Sequence, residues 1–324
     1  MDPLSDVLAV LKPQSTVARA FDAGGDWSIQ FGSHEGIKCN ALISGQCWLA
    51  VEGIRDPIQL RTGDCFLLPR GLPFRLASDL TLPPVDYRIL FRHPPASAVS
   101  VWNGGGECFG VGGHFILTGS HARMLLEELP PIVHLRPETE KEKLRWCLER
   151  MNQEVREQRP GASLVAQQLA TMVLVQALRL YIEEGSADRT GWLFALADPQ
   201  MNAAIGAMHG DPGHRWTLQK LAEHCGMSRS IFAMKFKARV GISPMEYLAR
   251  WRMLLAGDRL TQSADSVSSI AQALGYESES AFSKAFRRAM GCSPRQYRRG
   301  QSGASAPKVN DEEAPPGRQM AIAI

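Results

Sequence analysis

The chain has 324 residues, 44% of them apolar and 21% charged, a balance that suits a soluble globular protein of more than one domain and excludes a low-complexity or fibrous chain. Its net charge of +3 hides an asymmetry: residues 214–300 hold 15 Lys and Arg against 6 Asp and Glu, a balance of +9, so the remaining 21 and 27 leave −6 elsewhere. A basic C-terminal third on an acidic remainder points to a polyanion-binding domain joined to a domain with another task.

Residues 1–6 lack the basic start and apolar core of a secretion signal, so a cytoplasmic location is expected. Seven scattered cysteines without paired metal spacing fit reduced thiols rather than a disulfide framework. Residues 37–43 and 46–51 are apolar-rich runs split by Ser44-Gly45, which predicts a hairpin turn. Further strands are predicted at 58–60, 65–68, 74–76, 87–91 and 108–117, and many short strands at this spacing predict an all-β barrel or sandwich over residues 1–135. From Pro137 the period becomes helical. Residues 138–157 and 163–183, separated by Pro160-Gly161, predict two helices that pack antiparallel within 136–185. The second is interrupted by Gln167, Gln168, Gln176 and Arg179 and is not read as a membrane span. Residues 186–198 are expected to be a polar linker, 199–299 an all-α domain, and 300–324 a disordered tail.

The all-α segment contains a repeat. Gly226 pairs with Gly275 at an offset of 49, while Phe236, Gly241, Pro244 and Tyr247 pair with Phe286, Gly291, Pro294 and Tyr297 at 50, so the second copy has one added turn residue. Each copy has a short helix, at 218–225 or 267–274, ending at a Gly fit for a left-handed turn. Ser228 or Ser278 then caps a second helix. That helix buries Phe232 and Phe236, or Phe282 and Phe286, on one face. Its other face keeps Arg229, Lys235, Lys237 and Arg239 in the first copy and Lys284, Arg287 and Arg288 in the second. A helical core with a solvated basic face would explain one such unit; two at one period predict a pair of helix-turn-helix units that bind double-stranded DNA. The helix opened by Pro244 is expected to bridge them.

These residues, above all 275–286 and Gly291-Cys292-Ser293-Pro294, resemble the AraC/XylS family of transcription regulators across residues 199–299. The resemblance implies recognition helices in successive major grooves, a homodimer formed through the helical pair, RNA polymerase as a partner, and activation more than repression. Carried over by position, it makes Ser230, Ala233 and Met234 groove-facing in the first copy, with Arg229, Lys235 and Lys237 nearby. In the second copy it assigns Glu279, Ser280, Ser283 and Lys284. Met234 stands where relatives often carry Arg, which suggests thymine-methyl contact in place of a guanine edge. Lys235, Lys237, Arg287 and Arg288 are the expected phosphate contacts.

The first third resembles the cupin-type sensor domain of that family, most clearly at residues 63–74. Phe74 stands where metal-binding cupins have His, no His-x-His occurs, and Asn40 lies where related sensors often show His. No metal or other cofactor is therefore expected, and His34, His93, His114, His121 and His134 are read as surface or satisfied residues. The barrel mouth could hold a small-molecule effector, with Trp27, Trp48, Phe66, Phe74 and Tyr87 as candidate walls, though core packing explains them as well. Cys39 follows Lys38, a candidate for oxidant sensing if the two side chains lie close; strand alternation argues against that. A cupin-type enzyme with a DNA-binding appendage, and a constitutive DNA binder with a structural barrel, remain the alternatives. No residue constellation suggests catalysis.

Overall fold

The computed structural model describes all residues except 1, 91–98, 117–128, 137–141, 158, 185–189 and 304–324. Two compact units result, residues 1–255 and 256–324, divided inside a long helix.

The chain opens on α1 (Pro3–Leu11), which the sequence reading missed although its signals are local. Asp2 accepts from the Ser5 N–H at 3.0 Å and proline occupies the first turn. Strands β1 (Gln14–Ala23), β2 (Ser28–Phe31), β3 (Ile37–Ser44), β4 (Gln46–Val51), β5 (Ile58–Arg61), β6 (Cys65–Leu68), β7 (Phe74–Ala77), β8 (Val85–Asp86), β9 (Val99–Trp102), β10 (Cys108–Ile116) and β11 (Val133–Leu135) then form two sheets. Their orders are β11-β6-β3-β10-β1-β9 and β5-β4-β7-β2-β8.

Two expectations are corrected here. β3 and β4 are not a hairpin, because the chain passes from one sheet to the other at Ser44-Gly45. Gly45 has φ +85°, and a Cβ there would come within 2.1 Å of the Glu107 carbonyl, so the crossing packs too tightly for a side chain. The predicted strand at 87–91 begins instead as a helical turn, α2 (Tyr87–Leu90). Asp86 accepts from the Arg88 N–H at 2.8 Å, a local bond that bends the backbone into a turn.

Alternation places two cores on the first sheet. Leu42, Phe66 and Leu68 face the second sheet and meet Leu49, Leu60 and Leu76 between the sheets. Cys39, Ala41, Cys65 and Leu67 face outward onto α3 (Glu142–Glu157) and α4 (Ala162–Glu184). Those helices bring Leu144, Leu148, Met151, Leu169, Val173 and Leu174 to that face. α4 is long and apolar enough, by length and composition, to cross a membrane. Its Leu169, Ala170, Val173 and Leu174 are nonetheless buried against the sheet.

The expected linker is not a solvated stretch throughout. α5 (Trp192–Ala195) buries all four of its residues, so this segment is part of the core. α6 (Pro199–Gly210), α7 (Leu218–His224), α8 (Arg229–Val240), α9 (Pro244–Gln262), α10 (Val267–Ala273), α11 (Glu279–Met290) and α12 (Pro294–Gly303) complete the described chain. α1 packs on α6, where the buried His209 hydrogen-bonds the Tyr247 hydroxyl through Nε2 at 2.9 Å, stacks on Trp251 and has its Nδ1 3.6 Å from Asp6, beyond hydrogen-bond distance.

Candidate nucleic-acid interface and barrel cavity

Both helix-turn-helix units are built from the same local bonds. α7 ends where Met227 N–H donates to Ala222 O (2.9 Å) and Gly226 N–H to Glu223 O (3.0 Å). α10 repeats this, with Tyr276 to Ala271 and Gly275 to Gln272, each at 3.0 Å. This paired closure needs a left-handed residue, and Gly226 and Gly275 supply it at φ +66° and +76°. Ser228 then accepts from Ile231 N–H, and Ser278 from Ala281 N–H, opening α8 and α11. Phe232 and Phe236 lie fully buried with Tyr247 against the latter; Phe282, Phe286 and Tyr297 repeat the arrangement.

With one face fixed inward, helical periodicity turns the other out. Ser230, Met234 and Lys237 share the outer face of α8, and Ser280, Lys284 and Arg288 that of α11. Among the described residues Arg229, Lys237, Lys284, Arg287 and Arg288 make no ion pair, which leaves their charge available to an outside anion. Met234 is 69% exposed and Ile231 54%, an apolar strip on the first unit that has no equivalent among the large apolar residues of α11. Ala233, Glu279 and Ser283 are half-buried at the edge, Glu279 lying 3.5 Å from Arg295.

Within the barrel a cavity of about 240 Å³ opens beside the glycine-rich β10. One wall is the stacked set Phe31, Phe74 and Tyr87, with ring centroids 4.5 and 5.6 Å apart; another is Phe21 stacked on Trp102. Lys38, Asn40, Ser100 and His114 supply its polar groups. Gly112 has no side chain for a steric reason: a Cβ there would come within 1.9 Å of Asn40 Oδ1. Gly110 likewise leaves room for the Phe21 ring, 2.2 Å from where a Cβ would sit.

A cupin family model matches residues 2–183, and a helix-turn-helix domain model matches residues 221–300. A Streptomyces lividans protein named as an AraC-like transcription regulator is 40% identical over 300 residues, covering 92% of this chain and 98% of its own. The RCS-specific HTH-type transcriptional activator RclR of Escherichia coli is 30% identical, covering 92% and 97% respectively. The chain belongs to the AraC family of transcription regulators. Among solved structures, the DNA-binding domain of the global transcriptional factor AdpA in complex with target DNA is 30% identical, with a TM-score of 0.32, covering 33% of this chain and 96% of that one. By the two family models and its full-length relatives, the regulator is a DNA-binding protein with a cupin barrel and a C-terminal helix-turn-helix domain.

Several residues singled out in the sequence have a different setting in this AraC-family chain. Lys235, a phosphate contact on the sequence pattern, is half-buried, its ammonium 2.8 Å from Asp198 and 2.7 Å from Gln200 Oε1. Asp198 caps α6 by accepting from Gln200 N–H and Met201 N–H, so Lys235 ties the recognition helix to that cap. Of the candidate cavity walls, Phe74 and Tyr87 line the space. Trp27 and Phe66 are buried in the core between the sheets, and Trp48 is half-buried outside the cavity lining. Phe21, Phe31, Lys38, Ser100 and Trp102 went unnoticed as wall residues because they lie on four strands far apart in sequence.

The condition attached to Cys39 is not met. Its side chain lies in the helix-facing core while Lys38 points into the cavity. The neighbouring Cys65 thiol and burial push Cys39 well up, which keeps it protonated; Cys108 and burial do the same to Cys47. His134 is a satisfied residue, its ring 3.1 Å from buried Asp64, which also accepts from Arg61 N–H in the turn before β6. His34 is half-buried and held neutral, its pKa lowered to about 4 by burial and then by Lys38. His114 contacts the Glu35 carbonyl, and His93 and His121 lie outside the described residues.

Proposed function

We propose that this regulator activates transcription by setting α8 and α11 in successive major grooves of one DNA target, under control of a small molecule or oxidant acting on the barrel. The observation that carries the reading is the repeated, serine-capped recognition helix with an unpaired basic outer face, in a chain 40% identical to an AraC-like regulator. In this reading residues 1–135 sense, 136–185 dimerise, and 199–299 read DNA through two unequal surfaces. The α8 surface, with Ser230, Ala233 and Met234, meets thymine methyls; the α11 surface, with Ser280, Ser283 and Lys284, supplies polar contacts to base edges. Arg229, Lys237, Arg287 and Arg288 hold phosphate, as do the Ser228 and Ser278 hydroxyls at the helix starts.

Activation is supported by the name of the Escherichia coli relative, and RNA polymerase is the partner that activation implies. Small-molecule control is supported by the lined cavity. Oxidant control through Cys39 has no such support, since a protonated buried thiol reacts poorly. Homodimerisation is supported by apolar side chains on the outer surface of the helical pair: Trp146, Leu164, Val165 and Met172 are all exposed. The expected location is the cytoplasm, where the DNA is.

The deciding experiment is footprinting of the full chain on fragments of its own genome at two salt concentrations. Discrete sites of roughly 20 base pairs that persist at the higher salt are expected of a two-groove reader. Diffuse protection that vanishes with salt would reduce the interface to phosphate contact. Control by a small molecule is tested separately, by whether a metabolite extract changes the affinity for such a site.

A further inference from the structure

A lysine inside a barrel is costly to keep, since burial disfavours its charged form. Among the described residues lining the cavity, Lys38 is the one that is formally charged, and none is a carboxylate. Its ammonium sits over the stacked Phe31 and Phe74 rings, 5.1 and 4.9 Å from their centroids, which offsets part of that cost. Cation–π contact does not use the three N–H donors. Among the described residues Lys38 makes no hydrogen bond or ion pair, nor do the side chains of Asn40 and the buried Ser100 beside the same space. Burial brings Lys38 down to about 8, which still leaves it mostly protonated at neutral pH. Core packing alone gives no reason for the charge: methionine would fill the same path without the desolvation cost.

Positive charge, unspent donors and flat apolar walls define the missing partner. We propose that the cavity binds a small organic monoanion, a carboxylate on a compact apolar body, with the acid group against Lys38 and the body between the aromatic walls. This deepens the reading of the barrel as an effector site and rests on it. The volume of about 240 Å³ lies below the ~300–1,000 Å³ of pockets for drug-sized ligands, which restricts the body to about one ring or a short chain. Asn40 and Ser100 add donors for the second carboxylate oxygen, and Gly112 keeps the Asn40 amide where it is.

The test uses the full chain, with benzoate, phenylacetate, cinnamate and octanoate, each beside its neutral amide, followed by calorimetry and thermal shift. At least one acid is expected to bind at least about tenfold tighter than its amide, and Lys38→Met to abolish that preference while the amide still binds. An amide that binds as tightly as its acid, or a Lys38→Met protein that holds the acid like the wild type, overturns the anion and leaves an uncharged effector standing. Failure of every acid at millimolar concentration also overturns it, even where a metabolite extract still alters DNA affinity. If the extract has no effect, the effector reading itself falls. The comparison of acid with amide on the unaltered chain needs no variant to fold.

Discussion

Single side chains decide the two most specific features. Met234 is exposed on α8 and cannot donate a hydrogen bond, so under the proposed function the first unit would discriminate guanine weakly. Met234→Arg should leave stability unchanged, because the position is solvent-facing, and shift the selected sequences toward guanine at one position by about 1–3 kcal/mol. Selection from randomised duplexes reads this directly; an unchanged sequence preference would place Met234 off the bases. His209 is the second case. Burial lowers its pKa to about 3 from the ordinary 6.5, so the native state holds the neutral ring. Below pH 6.5 the unfolded chain takes up a proton that the folded one refuses, so stability is lost as pH falls from 6.5 toward 3. The expected loss is about 2 kcal/mol by pH 5. Urea unfolding at pH 7.5 and 5 should show this slope, and His209→Phe should flatten it. A variant with an undiminished slope would assign the acid sensitivity to another group.

At the scale of elements, the helix-turn-helix units were legible because every determinant lies within a few residues of the next. The glycine that closes α7, the serine that opens α8 and the two phenylalanines four apart are all local, and the repeat supplied a second reading of each. Gly226 faces open space, with nothing within 4 Å of a Cβ, so Gly226→Ala tests backbone conformation alone. Its expected cost is about 1–2 kcal/mol for a left-handed alanine, measured by thermal or chemical unfolding, with the same surface residues retained. No loss would show that the turn relaxes to another conformation. The strands were read less well. β3 and β4 looked like a hairpin because each alone satisfies the pattern; which sheet a strand joins depends on partners far along the chain, such as β10, whose residues pair with those of β3 across 65 to 78 positions.

On the scale of the whole molecule, α3 and α4 bury one surface on the barrel and leave Leu164, Val165, Met172 and Trp146 in solvent. A second copy is the proposed cover, and two linked readers gain avidity from it. Light scattering should give twice the chain mass for the wild type and the single mass for Leu164→Glu/Met172→Glu, with weaker operator binding. A dimer that survives the double change would move the interface elsewhere.

What the sequence alone determined is the DNA reader, since caps, left-handed glycines and a four-residue apolar spacing act between near neighbours and fold the same way wherever the segment sits. It also marked the change from strand to helix, which falls between the end of β11 at Leu135 and the start of α3 at Glu142, and the cupin resemblance at 63–74. Only the tertiary structure decided that Lys235 is tied to Asp198, that Cys39 and Lys38 face opposite sides of β3, and that Lys38, Ser100 and Trp102 share one cavity. The reason is physical. A side chain's charge state and partners depend on which distant strands the sheet order brings beside it, and that order is set by how the two sheets and the helical pair bury their apolar faces together.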